Sequence, residues 1–256
     1  MITVIKLGGS LLEPAPAPDL VAALARVARV KKLVLVHGGG KALTALLQQL
    51  HTPTEFRQGL RVTTPAVLEA ALMTLAGQVN TRLVAALQAA GMRAAGLTGC
   101  DAGLLRARRL PELGAVGGEP RADARLCRTL LAAGCTPVIA SLGLDEDEPG
   151  AILNINADQA AAAVAAALRA HRLLFFTDVN GVLDDAGRTI PRASLADLEA
   201  MTAAGTLHGG MLPKAAACRA ALTAGVANVT ILGPAAAPAL EYVCAGAQLA
   251  GTELLP

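Results

Sequence analysis

The 256-residue chain is 54% apolar and only 16% charged, with a formal net charge of +2, a balance that belongs to a compact globular protein and not to a disordered one. Both signs of charge are spread along it and aromatic residues make up 2%. This argues against the basic stripe of a nucleic-acid protein and the stacking platforms of a single-strand binder. With no Trp and one Tyr, the core must be built from Leu, Val, Ile and Ala, which suits closely packed helices covering a sheet.

The cysteines (Cys100, Cys127, Cys135, Cys218 and Cys244) are odd in number and form no CxxC pair, so they read as reduced core residues of a cytoplasmic protein. No signal-peptide pattern precedes the first strand. The longest apolar run, 160–168, is too short to span a bilayer. The expectation is a soluble protein with neither nucleic acid nor membrane as partner.

Ile2, Val4 and Ile5 predict a buried strand, and Lys6 interrupts it just before Gly8-Gly9-Ser10. A cation at the end of a buried strand needs an anionic partner, and glycines let the backbone approach one. A core strand whose lysine snorkels out is the plain alternative. A proline-rich loop leads to a helix over 20–30, with Asp19 as its cap. A second strand over 33–36 ends in His37-Gly38-Gly39-Gly40, and a helix over 41–50 follows. The βαβα order implies a parallel sheet with right-handed crossovers. In such sheets ligands bind beyond the carboxyl ends of the strands, where both glycine turns sit.

Residues 55–64 read as a hairpin carrying Arg61. Pro65 opens a helix to about residue 90. Its apolar stripe of Leu68, Leu72, Leu75, Val79 and Leu83 is long enough for a partner face, or it packs on the sheet. A strand over 94–99, a hairpin over 104–120, a helix over 122–133 and a strand over 136–141 come next. The acidic turn 145–150 reads as a solvated loop, with a metal site as the alternative. The stretch 152–156 runs into an alanine-rich helix over 160–170, and 173–176 is the most apolar strand. A helix over 194–204, a glycine loop at 208–210, a helix over 213–224 closed by Gly225, a strand over 229–232, a last helix and a tail complete the pattern. The βα units divide near residue 150 without a linker, so two lobes sharing one continuous sheet are expected.

Gly38-Gly39-Gly40-Lys41 is neither a Walker loop nor GxGxxG, because no Ser or Thr follows Lys41 and Leu43 stands where a third glycine would be. It still offers backbone N–H groups and a helix N-terminus to an anion. Lys214 opens a helix, where a cation is disfavoured by about 0.3–1 kcal/mol. Either a ligand brings a negative charge there or the lysine is simply solvated. Asp158 sits near a helix start, where capping is its ordinary role, with Asn154 and Asn156 as turn formers. Asp178 ends the most apolar strand, and Arg61 has the planar fork to clamp a carboxylate. The four histidines show no zinc spacing, and there is no GxSxG elbow. Two glycine turns, two lysines far apart in sequence and acids placed to hold them describe phosphoryl transfer at a non-Walker site.

Taken in order, Ile5-Lys-Leu-Gly-Gly9, Val36-His-Gly-Gly-Gly40, Gly59-Leu-Arg-Val-Thr63, Asn154-Ile-Asn-Ala-Asp-Gln159, Thr177-Asp-Val-Asn-Gly-Val-Leu183 and Gly209-Gly-Met-Leu-Pro-Lys214 resemble the amino acid kinase family, most closely its branch acting on N-acetylglutamate. The match weakens over 229–256 and is approximate at Gly99-Cys100-Asp101. The resemblance implies a three-layer αβα sandwich with a largely parallel central sheet, an acceptor lobe over 1–150 and an ATP lobe over 151–256. It implies ATP-dependent phosphorylation of the side-chain carboxylate of N-acetyl-L-glutamate in arginine biosynthesis, with Mg2+ held mainly by the ATP phosphates. Lys6 and Lys214 would stabilise the transferring group and Asp158 would orient both. Gly39, Gly40, Arg61 and Asn154 would bind the acceptor. Gly8, Gly9, Asp178, Val179, Asn180, Gly181, Val182, Leu183, Thr206, Leu207 and His208 would bind the nucleotide. A homodimer built on the helix 65–90 and insensitive to arginine is also implied. Two alternatives stand beside this reading. One is a sister acyl-acceptor kinase, for which Arg106, Arg108 and Arg109 are a small basic patch; the other is a non-catalytic ligand-binding module of the same fold.

Overall fold

The structure is a computed structural model that describes the chain except for residues 185, 208, 209, 248–250 and 256. Its first part runs β1 (Ile2–Leu7), α1 (Pro18–Val30), β2 (Lys32–His37), α2 (Gly40–Gln49), β3 (Phe56–Arg57), β4 (Leu60–Arg61) and α3 (Pro65–Ala71). A π-helical stretch (Leu72–Val79) joins α3 to α4 (Asn80–Ala89). Then come β5 (Ala94–Thr98), β6 (Leu105–Arg109), β7 (Val116–Ala122), α5 (Arg125–Ala132), β8 (Thr136–Ala140), β9 (Leu142–Asp145), β10 (Ile152–Ile155) and α6 (Ala157–Leu168). The rest holds β11 (Arg172–Phe176), β12 (Arg192–Ser194), α7 (Leu195–Ala203), α8 (Met211–Thr223), β13 (Asn228–Leu232), α9 (Leu240–Ala245) and β14 (Thr252–Leu255).

Eight strands form one sheet in the order β12-β14-β13-β11-β1-β2-β8-β5. Every neighbouring pair is parallel except β13 and β14. Successive side chains of a strand face opposite sides, and β1 shows the division. Val4 packs in the core under α6 and α8, whereas Ile5 and Leu7 pack in the core under α1, α4 and α9. This is the expected αβα sandwich. Ala160, Ala161 and Ala165 of α6 are fully buried, so the alanine-rich stretch lets that helix lie close on the sheet. β6, β7, β9 and β10 close a small barrel beside it, and β3 and β4 form the expected hairpin. Gln58 and Gly59 turn that hairpin at positive φ, as a tight two-residue turn requires.

Four expectations need correction. The cap position of α1 is Ala17, and Asp19 lies in the helix's first turn, because Pro18 with its fixed φ starts the helix one residue early. The helical run from 65 to 89 is not α throughout, since Leu72–Val79 is π-helical. Of its apolar stripe, Leu75, Val79 and Leu83 are buried in this chain's own cores, so the stripe packs inward. In the acidic turn, residues 147–150 are exposed as a solvated loop should be, but Asp145 is buried and pairs with Arg109 at 3.0 Å. Finally, the strand over 229–232 is not the last: the tail holds β14, which inserts between β13 and β12.

Candidate active site

Lys6 shares its β1 face with Val4, so strand alternation alone turns it toward α6. Its strand neighbours are Phe175 on one side and Val36 on the other. On α6, Asn156 occupies the cap position, and its Oδ1 accepts from the N–H groups of Asp158 at 2.9 Å and Gln159 at 3.2 Å. The capping role expected of Asp158 therefore belongs to Asn156, which leaves the Asp158 carboxylate free. Lys214 is the fourth residue of α8, which begins at Met211, and is not an exposed, solvated lysine at the helix mouth.

The three charges meet. Lys6 Nζ lies 2.9 Å from Asp158 Oδ1 and Lys214 Nζ lies 2.9 Å from Asp158 Oδ2. Lys6 is 8% exposed, and Asp158 and Lys214 are 5% exposed each. Burial pushes the Asp158 carboxyl upward, but the two ammonium groups outweigh it and hold it below the ordinary carboxylate range. Burial lowers Lys6 from the ordinary lysine value, and Lys214 adds to that lowering while Asp158 opposes it. Lys214 also rests over the Phe175 ring, 5.6 Å from its centroid. Two cations against one carboxylate leave a single positive charge in a desolvated place, which is favourable only if an anion arrives.

The triplet opens onto a cleft of about 980 Å³ that is also lined by Gly8, Gly9, Gly39, Gly40, Arg61 and Asn154. The two glycine turns pack directly on each other: a Cβ on Gly9 would stand 3.0 Å from Gly39 Cα and Gly40 N. A Cβ on Gly39 would meet Leu75 Cδ2 at 2.8 Å, whereas one on Gly40 would meet nothing within 4 Å. Gly40 thus borders open cleft. The N–H of Gly8 donates to Phe176 O at 2.8 Å, so it ties β1 to β11 and is not available to phosphate as expected. Arg61 donates through Nη2 to Gly40 O at 3.1 Å and Thr44 Oγ1 at 2.7 Å. Burial lowers its pKa. Asn154 donates to Thr63 Oγ1 at 3.1 Å.

At the other end, Asp178, Val179, Gly181, Leu183, Thr206 and Leu207 line the cleft. Asn180 and Val182 do not. A Cβ on Gly233 would collide with the Asn180 side chain, and Val182 is fully buried with its N–H donating to Thr252 Oγ1 at 2.8 Å. His208 lies outside the described residues. Thr44, Phe56 and Asn156 are among the cleft residues not expected there from the sequence. The helical spacing of Lys41, Thr44 and Gln48 on α2 and the cross-strand pairing of Phe56 with Arg61 were the signals for the first two.

A parallel sheet with a glycine-lined cleft beyond its strand ends and a buried two-lysine clamp defines a phosphoryl-transfer enzyme without a Walker loop. The chain belongs to the amino acid kinase family, whose model matches residues 1–233. Within it, the chain is 43% identical to the acetylglutamate kinase of Acidobacterium capsulatum over 98% of each chain. It is 40% identical to that of Solibacter usitatus over 100% of this chain and 99% of the relative. Among solved structures, smu.665 from Streptococcus mutans superposes with a TM-score of 0.85 at 28% identity, over 99% of this chain and 98% of that one.

Proposed function

We infer that this chain catalyses the ATP-dependent phosphorylation of the side-chain carboxylate of N-acetyl-L-glutamate, giving N-acetyl-L-glutamyl 5-phosphate in arginine biosynthesis. The observation that carries the reading is the Lys6–Asp158–Lys214 triplet on the cleft of a chain so similar, end to end, to acetylglutamate kinases. A carboxylate acceptor is already ionised at neutral pH, so no general base is required. One of its oxygens bonds to the γ-phosphorus while the bond from that phosphorus to the bridging oxygen breaks, and ADP leaves with the electron pair. The barrier lies in bringing an anion up to a polyanion. Lys6 and Lys214 offset the charge on the transferring group, and Asp158 keeps the two ammonium groups together beforehand.

In the same proposal Arg61, Gly39 and Gly40, in a lobe over 1–150, hold the acceptor together with Asn154 from just beyond it. Asp178, Val179, Gly181, Leu183, Thr206 and Leu207, in a lobe over 151–256, hold ATP together with Gly9 of the first lobe. What supports these roles is their shared cleft. Mg2+ enters with ATP and offsets phosphate charge. Of the two acids among the described residues lining the cleft, Asp158 is engaged by two lysines, and Asp178 is the carboxylate left to face the ion. Against a carrier-protein-linked acceptor stands the pairing of Arg108 with Glu146 and of Arg109 with Asp145 and Glu148, which neutralises most of the basic patch. The proposal extends to a homodimer through the outward face of the 65–89 run, where Met73 is 56% exposed. It also extends to a cytoplasmic location, supported by five free cysteines.

An ATP-dependent hydroxamate assay comparing N-acetyl-L-glutamate, N-succinyl-glutamate, glutamate and aspartate tests the reaction. N-acetyl-L-glutamate should turn over fastest, and absence of turnover with all four overturns the reading. Sedimentation tests the dimer, and a monomer at micromolar concentration would remove that part.

A further inference from the structure

Arg61 is more constrained than carboxylate binding alone demands. It is 9% exposed, and its Nη2 is anchored on Gly40 O and Thr44 Oγ1. The Thr44 hydroxyl in turn donates to Gly40 O at 2.8 Å, so a lone pair and not a proton faces the guanidinium. The Phe56 ring covers the guanidinium plane, with its centroid 4.5 Å from Cζ. Nη1, at the other end of the same fork, is buried and has no protein partner. A buried cationic donor left unpaired is costly, and Arg61 lines the cleft.

We propose that Thr44 is a positioning residue for the acceptor site: its oriented hydroxyl fixes the rotation of the Arg61 guanidinium, so that Nη1 is held ready for a carboxylate of the acceptor. The proposal rests on the reading that Arg61 holds the acceptor. The fork is planar, so fixing Nη2 at two acceptors and clamping the face with Phe56 leaves Nη1 one direction in which to donate. Without the hydroxyl, the guanidinium can turn about its stem, and part of the acceptor's binding energy goes into reordering it.

The test is steady-state kinetics on Thr44→Val, Thr44→Ser and Arg61→Leu, with unfolding midpoints alongside. Thr44→Val keeps the shape and removes the acceptor. It should raise the acceptor KM about tenfold, the effect of one charge-assisted hydrogen bond, and leave kcat and the KM for ATP within about twofold. Thr44→Ser, which keeps the hydroxyl, should restore the acceptor KM. An unchanged acceptor KM in Thr44→Val, an equal rise in both KM values, or no rescue by Ser overturns the proposal. If Arg61→Leu also leaves the acceptor KM unchanged, the underlying assignment of Arg61 has failed. If only Thr44→Val is silent, the positioning role alone has failed.

Discussion

Asn80 donates from Nδ2 to His37 Nε2 across 2.9 Å, although 43 residues separate them in sequence. That contact sets the tautomer: Nδ1 carries the proton and donates to Gly38 O at 2.8 Å. The imidazole is fully buried behind the glycine turn that forms the cleft wall, and burial lowers its pKa from 6.5 to about 4. The unfolded chain therefore takes up this proton first as pH falls. Stability contributed by the neutral ring is complete above about 6.5 and is lost progressively toward pH 4, by about 3 kcal/mol over the whole window. Urea unfolding of wild type and His37→Gln between pH 7.5 and 4.5 measures it. The variant should show the shallower pH dependence, and equal slopes would refute the assignment. Asn80→Ala, which leaves the ring nitrogen and Val138 O without a donor, should cost about 1–3 kcal/mol.

The buried triplet separates stability from turnover. Lys6→Ala leaves Asp158 paired with Lys214, so the charges balance and the fold should persist while turnover falls by at least about tenfold, or 1.4 kcal/mol of barrier. Asp158→Asn leaves two buried cations without their counter-charge and should destabilise by about 3–5 kcal/mol. ATP should then raise the melting temperature of Asp158→Asn more than that of wild type, since the polyanion supplies the missing charge. A smaller shift in the variant would show that the triplet is not where the phosphates bind. Because its carboxyl is held below the ordinary range, the stability Asp158 provides is present above about pH 4 and fades below it.

Gly39 and Gly40 are adjacent yet should respond oppositely to Ala. At Gly39 the new methyl meets Leu75 and Val79, and overpacking of this kind costs about 1–3 kcal/mol. The double variant Gly39→Ala/Leu75→Ala should regain part of that loss. At Gly40 the methyl meets open space, so stability should hold while substrate KM rises. Thermal melts and kinetics on the three variants decide it, and a Gly40→Ala protein with wild-type KM values would place the acceptor elsewhere.

Asn156→Ala removes the cap that accepts from Asp158 and Gln159 and should cost about 1 kcal/mol. Because the same cap fixes the backbone of Asp158, kcat should fall with it. Asn156→Ser, which can still cap, should recover both. Loss of stability with kcat intact would make the cap purely structural.

Much of this arrangement was legible before any coordinates, because it follows from short-range patterns. β2 and β11 carry unbroken apolar runs, β1 is apolar but for Thr3 and Lys6, and glycine turns mark the ends of β1 and β2. What escaped was decided by partners distant in sequence. β14 is four residues with no distinctive alternation, and becomes a strand only because β13 offers an edge. The π register leaves the three-and-four spacing of Leu72, Leu75 and Val79 intact, so periodicity cannot reveal it. An acid in a helix's first turn reads as a cap, and only the geometry shows that Asn156 has taken that role. Asn180 and Val182 lie off the cleft lining because of partners far along the chain: the Asn180 side chain sits against Gly233, and Val182 is buried with its N–H on Thr252.

β14 also bears on the order in which the molecule can be made. Among the described residues, β12 pairs with β14 alone, and Thr252 holds both the Val182 N–H and the Ile190 carbonyl. During synthesis β1, β2, β5 and β8 can pair long before residue 252 appears. The segment around 181–190 has no hydrogen-bonded support at Thr252 until then. The β12 edge of the sheet should therefore be the last to acquire protection, and a chain cut before Thr252 should keep slow amide exchange in β2, β5 and β8 while losing it in β12.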